Sequence, residues 1–171
     1  MGRLTKYNRK WPLLFEKEKE HLKKILEGQK IEKIEHIGAT SIERCDTLGT
    51  IDVLISVRSF LDFVTIKNIL VKKGYQYVAN KSDDLKDMFF VRRDEKNQII
   101  ASFHLVEYAS KLYQEYLLFA FYVKEGRNVL TYNKIREDIL EKSQGDIKQY
   151  QKEKAEYIRY VIDNFCVTTG S

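Results

Sequence analysis

The sequence predicts an α+β fold in which helices pack against a mixed sheet and the C-terminal third is helical. Three observations carry this expectation. Short β-branched and aromatic runs bounded by turn residues recur between residues 31 and 107, a helix-period segment interrupts them at 60–73, and from residue 110 onward the apolar spacing is helical only. The chain has 171 residues and a single proline, which suits one domain spanning 1–171 around one core. No internal repeat or Pro/Ser-rich linker divides it, so the helical third should pack on the sheet.

The elements follow in order. After Trp11-Pro12, the residues Leu14, Phe15, Leu22, Ile25 and Leu26 recur at helical spacing up to Gly28, and proline suits a first turn as glycine suits a helix end. Ile31 to Ile37 reads as a strand stopped by Gly38. Thr50 to Val57 reads as a second strand, with Asp52 and Leu54 on one face and Ile51, Val53, Ile55 and Val57 on the other. Phe60 to Lys73 is a helix that should cross onto the sheet and close at Gly74. Tyr75 to Ala79, Met88 to Arg92 and Ile99 to Glu107 are strands, the last two separated by the turn-forming Asp94 to Asn97. Three helices complete the chain: Ser110 to Lys124, Asn128 to Lys142 and Asp146 to Phe165.

Composition narrows the function classes. The net charge of +5 comes from 30 basic and 25 acidic residues interspersed along the chain, a pattern of solvated helix faces. It slightly favours anionic small molecules, whereas nucleic-acid binding usually shows as a clustered basic stripe. No run approaches the roughly 20 apolar residues of a membrane span, and charges stand where a signal peptide has its apolar core, so a cytoplasmic location without membrane partners is expected. Cys45 and Cys166 lie far apart with no CxxC spacing and read as two reduced thiols. The aromatic series from Tyr108 to Tyr122 reads as core, and His21 as a solvated residue of the first helix.

The most informative stretch is Glu35-His36-Ile37-Gly38-Ala39-Thr40-Ser41, followed by Ile51-Asp52-Val53-Leu54. A strand that ends in a small-residue turn lets backbone N–H groups and two hydroxyls converge on a phosphate. Together with Tyr7-Asn8, Trp11-Pro12, Leu14-Phe15, Phe103-His104-Leu105-Val106-Glu107 and the spacing Tyr150, Lys154, Ile158, these segments resemble the GrpB family of the nucleotidyltransferase superfold along nearly the whole chain.

The resemblance implies a nucleotidyltransferase-like fold, a nucleotide or other phosphorylated small molecule as partner, and a divalent metal, magnesium or manganese, as cofactor. The superfold holds two magnesium ions with an Asp-x-Asp pair and a third strand carboxylate, which clamp the attacking and leaving oxygens. Here the second acid is Leu54, and His104 stands where the third would be, so the acid set is incomplete for standard transfer. The chain also departs from the family at Ala39, where serine is usual, at Glu43-Arg44, where Pro-Gly is, and at Ala120-Phe121, where an Arg-Asp pair is common.

The candidate catalytic and metal-binding residues are Asp52 and His104. The candidate ligand-binding residues are His36, Gly38, Ala39, Thr40, Ser41, Arg92, which ends a strand, and Lys154, which matches the family's late helix. Other readings stay open. Asp52 could accept N–H groups from the Gly38 turn, His104 could be a hydrogen-bonded core histidine, and Arg92, Lys154 and Arg44 could be ordinary surface charges. Strand alternation allows only one of Glu35 and His36 to reach a given face. The rival to a transferase is a ligand-binding or interaction module that keeps the fold without the chemistry, with a hydrolase built on one metal as a third possibility.

Overall fold

The computed structural model describes residues 3–79 and 87–166. Helix α1 (Lys10–Ile25) precedes strand β1 (Ile31–Ile37), a 3-10 turn at Ala39–Ser41 and strand β2 (Ile51–Val57). Helix α2 (Phe63–Lys72) follows, then β3 (Gln76–Val78), β4 (Asp87–Arg93) and β5 (Ile99–Glu107). Helices α3 (Lys111–Lys124), α4 (Asn128–Lys142) and α5 (Ile147–Val161) finish the chain, with a π turn at Ile162–Cys166. Ser110 and Asp146 cap α3 and α5 by accepting the backbone N–H of Tyr113 and those of Lys148 and Gln149. The element types agree with the sequence pattern. The bounds differ mainly at four places: the helix expected at 60–73 opens with a 3-10 turn at Phe60–Asp62, β3 is shorter than Tyr75 to Ala79, α5 gives way to the π turn after Val161, and β4 begins at Asp87, one residue before the expected start.

The five strands lie in the order β1-β2-β5-β4-β3. The central pair, β2 with β5, is parallel and the other neighbours are antiparallel. On one face Val53, Ile55, Phe103, Leu105 and Phe90 meet Phe15 and Leu22 of α1 and Phe63, Ile66 and Leu70 of α2. Each such fully buried side chain contributes about 1.5–3 kcal/mol, so this face holds the main core. The opposite face carries Asp52, Leu54, Ser102, His104, Val106, Asp87, Phe89 and Val91, and the C-terminal helices cover it. There Leu54 and Val106 pack with Ile37 and Tyr113, while Tyr132, Val123 and Ala120 pack with Ile42 and Cys45.

This division fixes where four of the residues singled out from sequence lie. His36 pairs with Val53 across β1 and β2, so its ring points to the α1 face, where it stacks on Phe15 at 4.7 Å between centroids. Thr40 is fully buried with its hydroxyl 2.9 Å from His36 Nε2. Arg92 pairs with Ala101 and likewise faces α1, where its guanidinium binds the Glu18 carboxylate, which also accepts the Tyr75 hydroxyl at 2.7 Å. Alternation along a strand puts neighbours on opposite faces, so Val91, beside Ser102, takes the C-terminal-helix side and Arg92 does not. The hydroxyl of Ser41 donates back to the Gly38 carbonyl at 2.7 Å and closes the turn on itself.

Burial, and secondarily the charge of Lys124, lowers the His36 pKa to about 4. In the unfolded chain the same imidazole takes up a proton near the usual value of about 6.5. Between these values the unfolded state binds more protons, so the contribution of His36 is fully present above about 6.5 and is lost as the pH falls toward 4. Thermal unfolding followed across that window should show a fall in melting temperature that is shallower in His36→Leu than in the natural chain. Parallel profiles for the two would remove His36 as the cause.

Candidate functional site

Between the sheet and the C-terminal helices lies a cavity of about 750 Å³, large enough for a small organic ligand. Its wall includes Gly38 and Ala39 of the turn, Asp52 of β2, Ser102 and His104 of β5, Asp87 of β4, Tyr116 of α3, Arg136 of α4, and Tyr150 and Lys154 of α5. Of the residues singled out from sequence, the fold brings Gly38, Ala39, Asp52, His104 and Lys154 to this one place. His36, Thr40, Ser41 and Arg92 do not line it.

Asp52 is fixed from two sides. The Ser102 hydroxyl, its partner in the parallel register, donates to Oδ1. On the other side Gly38 comes so close that a Cβ there would collide with Oδ2 and lie 3.0 Å from Cγ. Gly38 also has φ 69° and ψ −172°, a region that belongs to glycine. The carboxylate therefore rests against the turn by shape and is hydrogen-bonded to Ser102.

His104 sits in a second cluster. Its Nδ1 lies 3.1 and 3.2 Å from the two carboxylate oxygens of Asp87 and 2.8 Å from the Tyr116 hydroxyl, which itself donates to Asp87 Oδ2 at 2.9 Å. Burial first, then the charge and hydrogen bond of Asp87, raises the Tyr116 pKa, so the phenol keeps its proton. Asp87 was missed because β4 was started at Met88. The alternation Asp87, Phe89, Val91 was the available signal, since it shares a face with Ser102 and His104 once β4 pairs with β5.

The helices supply the cations. Arg136 is 3% exposed, and its Nη2 donates to Asn133 Oδ1 at 3.1 Å, to Cys45 Sγ at 3.2 Å and to the Asp46 carbonyl. Its guanidinium lies 4.3 Å from the Tyr132 ring centroid. Among the described residues its Nε has no hydrogen-bond partner and no carboxylate reaches it, because the buried Asp46 carboxylate binds Lys6 instead, at 2.9 Å. Lys154 is half-buried and forms no ion pair among the described residues, and its Nζ lies 5.8 Å from the centroid of the Tyr150 ring. Burial lowers the Lys154 pKa, Asp52 acts against that, and Arg136 adds to it. A third cation, Arg159, is neutralised by Glu115 through bonds of 2.8 and 3.1 Å. Nothing in the sequence pattern marked Arg136, which lies on a helix of mixed charge.

A family model described as GrpB protein matches residues 3–164. The chain belongs to the GrpB family. It is 27% identical over 163 residues to the glutamate-rich protein GrpB of Alkalihalophilus pseudofirmus, covering 94% of this chain and 93% of that one. It is 28% identical over 159 residues to the UPF0157 protein YqkA of Bacillus subtilis, covering 92% of this chain and 45% of that protein. The crystal structure of GrpB from Enterococcus faecalis superposes with a TM-score of 0.78 at 22% identity, over 93% of this GrpB chain and 94% of that one. Cid1, an RNA terminal uridylyl transferase, shares the fold with a TM-score of 0.53 at 11% identity, over 81% of this chain and 42% of Cid1. This GrpB chain thus has a nucleotidyltransferase-like fold, and no helix among its described residues is long and apolar enough to cross a membrane.

The donor set of this GrpB protein does not fit the two-magnesium centre of that superfold. Leu54 is fully buried at the second acid position, Nδ1 of His104 is committed to Asp87 and Tyr116, and among the described residues no three His, Cys, Asp or Glu side chains come together as a metal-holding group. Gly38 is the position on which the cavity wall depends most directly. Gly38→Ala should lose about 1–3 kcal/mol from backbone strain alone, and more from displacing Asp52. Chemical denaturation checks this, and an unchanged midpoint would show that the turn relaxes without cost.

Proposed function

We propose that this protein binds a phosphorylated small molecule, a nucleotide being the form best matched to its fold, with the phosphate lying toward Arg136 and Lys154. The observation that carries the reading is Arg136, a buried cation on the cavity wall that has, among the described residues, no carboxylate partner and an Nε without a hydrogen bond. Burying an unpaired charge is costly, and guanidinium is the side chain best shaped to hold phosphate oxygens through parallel hydrogen bonds. Lys154 adds a second positive charge on the same wall. Two supports come from elsewhere. The turn residues Gly38 and Ala39 present little side-chain bulk to the cavity, and the fold neighbour Cid1 has been crystallised with Mg 3′-dATP, in a structure that matches with a TM-score of 0.51 over 92% of this chain and half of that one.

Binding without transfer is the form of this reading that the acid set favours, because Leu54 occupies the position of the second metal-holding carboxylate. The ligand's charge is met by protein cations directly and does not require a metal bridge to Asp52. This distinguishes the proposal from a metal-dependent transferase or a hydrolase built on one metal.

The test is thermal stabilisation and calorimetry with inorganic phosphate, AMP and ATP, in a chelating buffer and again with magnesium or manganese. A ligand that binds only the folded state raises its melting temperature. AMP or ATP should stabilise the protein in chelator, and Lys154→Met should weaken binding about tenfold, or about 1.4 kcal/mol. Asp52→Asn, which keeps an acceptor oxygen but no charge for a metal, should still bind AMP or ATP in chelator. Stabilisation that appears only with metal and disappears in Asp52→Asn would replace direct anion binding by a metal-bridged site.

A further inference from the structure

On the helix side of the cavity Glu115 and Arg159 neutralise each other, and among the described residues the two cations left without an ion pair are Arg136 and Lys154, which can only donate hydrogen bonds. On the sheet side are Asp52 and His104, and the hydrogen-bond network around His104 decides which of its ring nitrogens carries the proton.

The Asp87 carboxylate can only accept, so the Tyr116 hydroxyl, 2.9 Å from Oδ2, must be the donor in that bond. Its single proton is then spent. The 2.8 Å contact between the same hydroxyl oxygen and His104 Nδ1 can be satisfied only if Nδ1 bears a hydrogen and donates it. The Asp87 oxygens at 3.1 and 3.2 Å from Nδ1 require the same. A neutral imidazole protonated at Nδ1 carries its lone pair on Nε2. Nε2 has no protein partner among the described residues, and His104 lines the cavity, so this lone pair is the polar feature His104 offers there.

We propose that the sheet side of the cavity is an acceptor surface, formed by His104 Nε2 and the Asp52 carboxylate, and that the ligand is a phosphate ester whose organic part carries hydroxyl or amino donors. The inference rests on the anion reading given above and adds the chemical class of the other end of the ligand. Inorganic phosphate, pyrophosphate and simple alkyl phosphates lack such donors beyond the phosphate itself and would leave His104 Nε2 and the second Asp52 oxygen unmatched at the half-buried wall, whereas a sugar phosphate, a nucleotide or an amino-alcohol phosphate would satisfy them. A site built to hydrogen-bond a ligand's O–H or N–H rejects the analogue that lacks it, because its own polar groups are then left unpaired. Asp87 and Tyr116, also on the cavity wall, are positioning residues here, since they set the tautomer of His104.

Two measurements test this, and they fail separately. The first is nitrogen-15 NMR of the histidine rings in the ligand-free protein above the titration range. His104 should show a protonated Nδ1 and a bare Nε2, and Tyr116→Phe should lose that fixed pattern in favour of a mixture of tautomers. A protonated Nε2 in the natural chain overturns the acceptor surface whatever ligand binds. The second compares ribose 5-phosphate, phosphoethanolamine and n-butyl phosphate by calorimetry. At least one of the first two should bind about tenfold or more tighter than the alkyl ester, with the preference falling to within about threefold in His104→Phe. Equal affinity for all three overturns the donor requirement while leaving anion binding in place. No binding by any of them removes the anion reading and this ligand class with it, and the nitrogen spectrum still decides the tautomer.

Discussion

The parallel register between β2 and β5 is the constraint on which the rest of the site depends. It sets Asp52 beside Ser102 and Leu54 beside His104, and because each strand has flanking partners in the sheet, neither can slip without moving every side chain to the wrong face. Val53, Ile55, Phe103 and Leu105 enforce that register from below, since a shift by one residue would expose four fully buried side chains and bury Asp52 and His104 among α1 and α2. The polar wall of the cavity is thus held in place by the apolar core on the other face. Gly38 completes the arrangement from β1, where only the absence of a Cβ lets the chain turn against the Asp52 carboxylate.

Much of this was legible in the sequence because strand periodicity is a local property. The alternation at 51–57 placed Asp52 and Leu54 together, and 99–107 placed His104 with Ser102 and Val106. What was not legible depended on pairing between elements. His36 and Arg92 fall on the α1 face because of which residues they oppose on β2 and β5, and one strand read alone cannot say which of its two faces is the cavity. Asp87 was hidden by a boundary error of a single residue. Arg136 was hidden for another reason: a helix with charges all round gives no sign that one of them is enclosed, and only the packing of α4 against the 42–46 loop buries it.

The two polar clusters make different use of their buried charges. At Asp87, Tyr116 and His104 each acceptor has a donor, and the network fixes a tautomer. At Arg136 the donors on Nη2 are met by a carbonyl, an amide oxygen and a sulfur, none of which carries a full negative charge. A buried ion held only by dipoles retains an electrostatic demand that an anion would meet, whereas a closed network has none left to offer except its free nitrogen. The contrast is what separates the proposed phosphate contact, on the helices, from the proposed donor contact, on the sheet, although the cavity joins them.

Leu54 shows why the acid pair implied by the superfold cannot be regarded as a site awaiting one substitution. Its side chain has no exposed surface and packs with Ile37, Val106 and Tyr113, so α3 has closed over the place where a second carboxylate would have to reach a metal. The Tyr113 hydroxyl is already turned away to the Glu35 carboxylate, 2.7 Å distant, and leaves no donor free at that spot. An aspartate at position 54 would exchange a packed apolar side chain for an unpaired buried charge, which costs several kcal/mol unless it takes up a proton, and a protonated acid is a poor magnesium ligand. The helical C-terminal third that forms the cation wall of the cavity is therefore also what removes the metal floor. In this chain the enclosed cations and the absence of a second acid beside Asp52 go with the same packing of the C-terminal helices on the sheet.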